Sequence, residues 1–212
     1  KTYLSAIELL IEGLKNENEH GIPLKGKEVW YVAPTFQQGK DVMWNLLKDV
    51  GRDVIDATYE NVATAKLING RRIQIKGADR PDSLRGVGIS FVVLDEYAFM
   101  KPEAWDLIIR PTLSDVMGKA LFIGTPEGKN HFYDLWKFAD KEENKDWQAF
   151  HFCSLDNPKI HPKEIEAARE SMRAQAFRQE YEASFEAAGG GKFEERMVKY
   201  AQEPGEPGII YM

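Results

Sequence analysis

The run Phe91-Val92-Val93-Leu94, followed at once by Asp95-Glu96, constrains this chain more than any other stretch. Four consecutive apolar residues suit a strand covered on both faces, as the strands of a parallel sheet are. Parallel strands need crossover connections, and those are usually helices. The two acids fall at the strand's C-terminal end, the edge of an open α/β sheet where ligands bind.

The opening residues extend this reading. Lys1-Thr2 precedes a stretch with apolar residues at 3, 4, 6, 7, 10, 11 and 14, which fits one face of a helix, with Gly13 weakening its last turn. A Walker A loop has the form Gly-x-x-x-x-Gly-Lys-[Ser/Thr] and leads directly into a helix. Lys1-Thr2 is what such a loop leaves when it is cut after its last glycine. Lys1 would then reach the β- and γ-phosphates of ATP, and the Thr2 hydroxyl would bind Mg2+. Asp95 would hold Mg2+ through its water shell as the Walker B acid, and Glu96 would polarise the attacking water. A third element, the apolar strand Ala120-Leu121-Phe122-Ile123, ends in Gly124-Thr125-Pro126. Thr125 at its tip is placed to sense the γ-phosphate and pass the change on.

The remaining elements alternate. Glu28–Ala33 reads as a strand, and a helix starts at Thr35 or Gln37 and runs towards Val50. Two short strands between 63 and 76 join at Asn69-Gly70, a two-residue hairpin signal. A loop over 77–88 holds Arg85, and a helix covers 101–113 with Pro102 at its start. Another helix falls near 129–139. Trp147–Phe152 alternates like a strand, and 161–187 is helical in two pieces. Strands interleaved with helices indicate an α/β fold. The specific expectation is a P-loop NTPase-type, mostly parallel sheet flanked by helices, with an antiparallel hairpin and a small helical lid subdomain.

Several stretches together resemble the large subunit of the tailed-phage terminase, a DNA-packaging motor. They are Tyr31–Phe36, the Asn69-Gly70 hairpin, Ser83-Leu84-Arg85-Gly86, Asp95–Ala98, Gly124–Asn130 and Phe177–Tyr181. The resemblance covers nearly all of 1–200, in order. It implies an ATPase core over 1–155, a helical lid over 156–188, and over 189–212 a linker leading to the start of an RNase H-like nuclease domain. The metal-binding Asp of that nuclease's first strand is absent from Ile209–Met212. The resemblance also makes Arg85 an arginine finger supplied to a neighbouring subunit's ATP. It further implies Mg-ATP hydrolysis coupled to translocation of double-stranded DNA by a homo-oligomeric ring. That ring docks on the portal protein, is fed by a small terminase subunit and works in the host cytoplasm.

Composition agrees without discriminating. With 43% apolar and 29% charged residues the chain reads as soluble and globular. No apolar run approaches the roughly 18 residues of a membrane span. The single cysteine, Cys153, excludes an internal disulfide, and the four histidines show no metal-ligand spacing with it. A net charge of −6 argues against a broad nucleic-acid surface, though not against a few clustered cations in a channel. Arg71-Arg72 reads as a solvated hairpin turn, and Trp30, Trp44, Trp105 and Trp136 as core. Phe177, Tyr181 and Phe185 repeat as one helix face. Two alternatives stand beside the motor: a helicase-like P-loop translocase, and an ATP-incompetent module that binds portal or DNA.

Overall fold

The computed structural model describes residues 1–186. The expected linker and incomplete strand over 189–212, and the last two residues of the 156–188 segment, lie outside the described residues. Two compact units divide at Thr125–Pro126, upstream of the 155/156 boundary read from the sequence.

The first unit opens with helix α1 (Thr2–Leu14) and strand β1 (Glu28–Ala33). Helix α2 (Phe36–Gly39) continues through a π-helical segment, Lys40–Trp44, into α3 (Asn45–Val50). Thr35 starts this helix by accepting the backbone N–H of Gln38 on its hydroxyl, an N-cap. Strands β2 (Ile55–Tyr59), β3 (Thr64–Leu67) and β4 (Arg72–Gly77) follow, then β5 (Ile89–Asp95). A helical stretch ending in α4 (Arg110–Ser114) leads to β6 (Lys119–Ile123).

Among the described residues the sheet has the order β2-β3-β4-β1-β5-β6. β1 pairs in parallel with β4 and β5, and β5 pairs in parallel with β6. β3 runs antiparallel to both β2 and β4, and Gly70 (φ +83°) takes the left-handed conformation that the β3–β4 turn demands. Every residue of β1 and β5 is buried, as continuous apolar runs in central strands should be. On one face Val29, Tyr31, Ile73, Ile75 and Val93 pack beneath Ala6, Leu9 and Leu10 of α1 and Met43, Trp44 and Leu47 of the second helix. Beyond the other face, Trp105 and Tyr97 meet Phe122 edge-on.

Three local expectations change. The inward face of α1 is Ser5, Ala6, Leu9, Leu10 and Gly13, while Tyr3, Leu4 and Ile11 are exposed. Small residues set this face because the helix lies close to the sheet: a Cβ on Gly13 would come within 2.6 Å of Leu67. β2 is a half-exposed edge strand that the sequence reading passed over. Arg71 is not solvated; it is 5% exposed.

The Arg71 guanidinium ties three chain segments together. Nη1 donates to the carbonyls of Glu12 (2.6 Å) and Lys15 (2.8 Å), Nε donates to the carbonyl of Lys27 (3.2 Å), and Nη2 donates to Ser90 Oγ. The end of α1 is thereby fastened to the start of β1 and to β5. Arg71→Met should keep the volume but strand these acceptors, at about 3 kcal/mol. A lowered urea midpoint at unchanged slope would register the loss, and an unchanged midpoint would contradict the assignment.

In the second unit, α5 (His131–Ala139) is N-capped by Asn130, whose Oδ1 accepts the N–H of Phe132. α6 (Pro162–Ser171) begins with proline at its first position, and α7 (Ala174–Tyr181) packs Phe177 against Ile165 and Ala168. Phe177 and Tyr181 stack at 4.9 Å, but Phe185 leaves the helix and packs against Phe132, Tyr133 and Trp136. Trp147–Phe152 is irregular: the stretch joins no strand among the described residues, and Phe150 and Phe152 are exposed.

Candidate functional site

The parallel strands bring their C-terminal ends to one edge of the sheet. Asp95 sits opposite Ile123, and Val32 opposite Leu94. β4 lies on one side of β1 and the later β5 on the other, so the strand order changes direction at β1. Open α/β sheets leave a crevice at such a point. A cavity of about 230 Å³ occupies it, lined by Lys1, Thr2, Tyr31, Ala33, Pro34, Gln38, Val42, Asp95 and Glu96. Lys1 and Thr2 reach it because α1 starts there, and the first N–H groups of a helix favour an anion.

Polar contacts join the residues at this edge. Lys1 Nζ donates to Thr125 Oγ1 at 3.2 Å and lies 3.7 Å from Glu96 Oε1. The backbone N–H of Thr125 donates to Glu96 Oε2 at 3.3 Å. Three segments far apart in sequence therefore meet within one small network. The β5–β6 pairing makes this possible, because it sets the tip of β6 beside the end of β5.

Asp95 and Glu96 differ sharply in environment. Asp95 is 7% exposed; Tyr31 donates its hydroxyl to Oδ2, and the N–H of Glu96 donates to Oδ1 at 3.0 Å. Burial pushes the Asp95 carboxyl above the ordinary carboxylate range, against the pull of these donors. Burial and the adjacent carboxylate likewise push the Tyr31 phenol up, so it stays a donor. Glu96 is partly exposed and takes the left-handed backbone conformation, φ 53° and ψ 45°. That geometry costs a non-glycine residue roughly 1–2 kcal/mol, and strain of this kind clusters at functional positions.

The oxygen donors of Thr2, Asp95 and Glu96 fit a hard cation such as Mg2+. Among the described residues no group of three or more His, Cys, Asp and Glu side chains gathers to hold a metal. Mg2+ commonly binds through one or two carboxylates together with the phosphate oxygens of a ligand.

Five of the six residues singled out from the sequence, Lys1, Thr2, Asp95, Glu96 and Thr125, thus meet at one edge. Arg85 does not line the cavity. It follows a 3-10 turn, Pro81–Leu84, with its side chain 57% exposed and Nε 3.2 Å from Asp82 Oδ1. Two contributors were missed, Gln38 and Tyr31. A phenol on a fully buried strand needs a hydrogen-bond partner, and the acid ending the adjacent strand could have been named as that partner.

Comparison with known proteins shows what the whole chain is similar to. A family model described as "Terminase large subunit, T4likevirus-type, N-terminal" matches residues 1–199. The terminase large subunit of Thermus virus P23-45 is 33% identical over 196 residues, covering 76% of this chain and 40% of that protein. The large subunit of Escherichia phage T5 is 34% identical over 175 residues, covering 79% of this chain and 39% of its own length. The chain thus spans about two fifths of these relatives. Among solved structures, the large terminase ATPase domain of Thermus phage P74-26 superposes with a TM-score of 0.71 at 27% identity, covering 87% of this chain and 83% of that one. The large terminase of a thermophilic bacteriophage in complex with ATP-gamma-S, at 15% identity and a TM-score of 0.65, covers 87% of this chain and 43% of its own and shares the fold.

Proposed function

The chain belongs to the T4likevirus-type terminase large subunit family, as part of its N-terminal region, and from that membership we propose that it is the ATP-hydrolysing part of a viral DNA-packaging motor. One observation carries the reading: Lys1, Thr2, Asp95, Glu96 and Thr125 converge at the C-terminal edge of a parallel sheet, beside a cavity that a helix N-terminus faces. Lys1 and Thr2 hold the phosphates of ATP. The Thr2 hydroxyl and, through water, Asp95 would hold Mg2+, which would offset phosphate charge there. Glu96 orients and deprotonates the attacking water.

Lys1 bridges Glu96 and Thr125. A γ-phosphate competes for that ammonium group and withdraws it from both partners. Glu96 is then free to face water, and Thr125, still joined to Glu96 through its N–H, reports the change to β6. Phosphate release reverses the exchange. In this way hydrolysis couples to motion, which we assign to translocation of double-stranded DNA into a procapsid. Partners on this reading are the portal protein, a small terminase subunit and further copies in a ring, and the place of action is the host cytoplasm.

The direct test is Mg2+-dependent phosphate release from ATP by the protein as encoded. We expect the rate to rise with added duplex DNA and more steeply than linearly with protein concentration, as subunits meet. Absence of ATP binding would remove the reading.

A further inference from the structure

We propose that Tyr31 is a positioning residue for the metal-binding arm of the site. Its hydroxyl locks the Asp95 carboxylate in the orientation from which that group receives the water shell of nucleotide-bound Mg2+. The inference rests on the ATP-hydrolysing reading above and assigns this chain's own residue a part in it.

Tyr31 and Val93 are register partners on the two adjacent central strands, which places the phenol two residues before Asp95 along the neighbouring strand. Tyr31 is fully buried in the cluster beneath α1 and lines the cavity beside Asp95. A phenylalanine would fill the same core space, so packing does not account for the oxygen. That oxygen donates to Asp95 Oδ2, while the N–H of Glu96 donates to Oδ1. With one donor on each oxygen the carboxylate plane cannot turn freely about its last bond. Each oxygen keeps a further lone pair, since a carboxylate offers about four acceptor sites. Those lone pairs are what an outer-sphere contact to metal-bound water requires. Loss of the phenol leaves the Glu96 N–H as the remaining hydrogen-bond donor to the carboxylate and lets the group rotate.

Equilibrium binding of a non-hydrolysable ATP analogue, titrated with Mg2+, tests this without reference to turnover. For Tyr31→Phe in the protein as encoded, the Mg2+ concentration at half-effect should rise about tenfold, the low end for loss of an outer-shell partner. Affinity for the analogue without Mg2+ should not change. Ile75→Val, which trims the same core cluster, is the control for a general loss of packing and should leave the Mg2+ midpoint in place. Because the hydroxyl acts through Asp95, adding Tyr31→Phe to Asp95→Asn should produce no second shift.

An unchanged midpoint in Tyr31→Phe, an equal shift in Ile75→Val, or additive shifts in the double variant would each overturn the proposal and leave the ATPase reading standing. A wild-type protein whose nucleotide binding ignores Mg2+ would instead overturn both.

Discussion

Glu96→Gln is expected to lower ATP turnover by about 10²–10⁴-fold, the usual worth of a positioned general base, while ATP still binds. The substitution isolates the proton-accepting function from the geometry. Glutamine has the length of glutamate, and its amide oxygen can still accept the Thr125 N–H that Glu96 Oε2 accepts now. It loses the charge that faces Lys1 at 3.7 Å. That pair is partly exposed, so its removal should change stability little. Phosphate release and equilibrium ATP binding, measured on the same preparation, separate the two effects. Turnover within about threefold of wild type would exclude Glu96 as the base. Loss of binding together with turnover would place Glu96 in holding nucleotide instead of activating water.

The backbone at Glu96 bears on the same prediction. A residue at φ 53° is in a conformation that glycine adopts at little cost. An unconstrained sequence would favour glycine there, and the side chain present instead is an acid whose oxygens meet Lys1 and Thr125. The strain is tolerated because β5 and the following 3-10 turn, Tyr97–Phe99, fix both flanks.

How much of this was legible in the sequence depended on whether a feature was local. The all-apolar run of β5 and its two terminal acids are local, and each stands where it was read. The hairpin at Asn69-Gly70 is there too, but three residues, 68–70, close it where the sequence suggested two, because Leu67 pairs with Arg71 and only Gly70 takes the left-handed conformation. The strand-helix alternation likewise pointed to the mostly parallel sheet. Face assignments were harder. α1 presents bulky Tyr3, Leu4 and Ile11 to solvent because close approach to the sheet selects Ser5, Ala6 and Gly13 for its inner side. Hydrophobicity counts cannot see that, since the criterion is smallness. Arg71 was misread for a related reason. Two adjacent arginines at a turn look solvated, and only the packed fold shows three loose carbonyls waiting for one guanidinium. The alternation of Trp147–Phe152 had the period of a strand, but among the described residues the stretch pairs with none. Tyr31 needed knowledge of which strand adjoins β5, and that is a property of topology.

Arg85→Ala is expected to reduce turnover by about 10³–10⁵-fold, the range for an arginine finger, while ATP binding to isolated subunits stays near normal. The position of Arg85 bears on whether it acts within its own subunit. It does not line the cavity that Lys1, Asp95 and Glu96 share, and its exposed guanidinium touches Asp82 through Nε. An exposed pair of this type holds weakly, with a typical worth below about 1 kcal/mol, so a phosphate on another subunit can capture the arginine. Mixing two variants decides the matter. Arg85→Ala subunits retain Glu96, and Glu96→Gln subunits retain Arg85. If the finger acts in trans, an Arg85→Ala subunit beside a Glu96→Gln subunit has a complete site at one of its interfaces. The mixture should then hydrolyse ATP although neither variant does so alone. A mixture as inactive as its components would show that Arg85 serves its own subunit's nucleotide, and full activity of Arg85→Ala alone would show that it serves none.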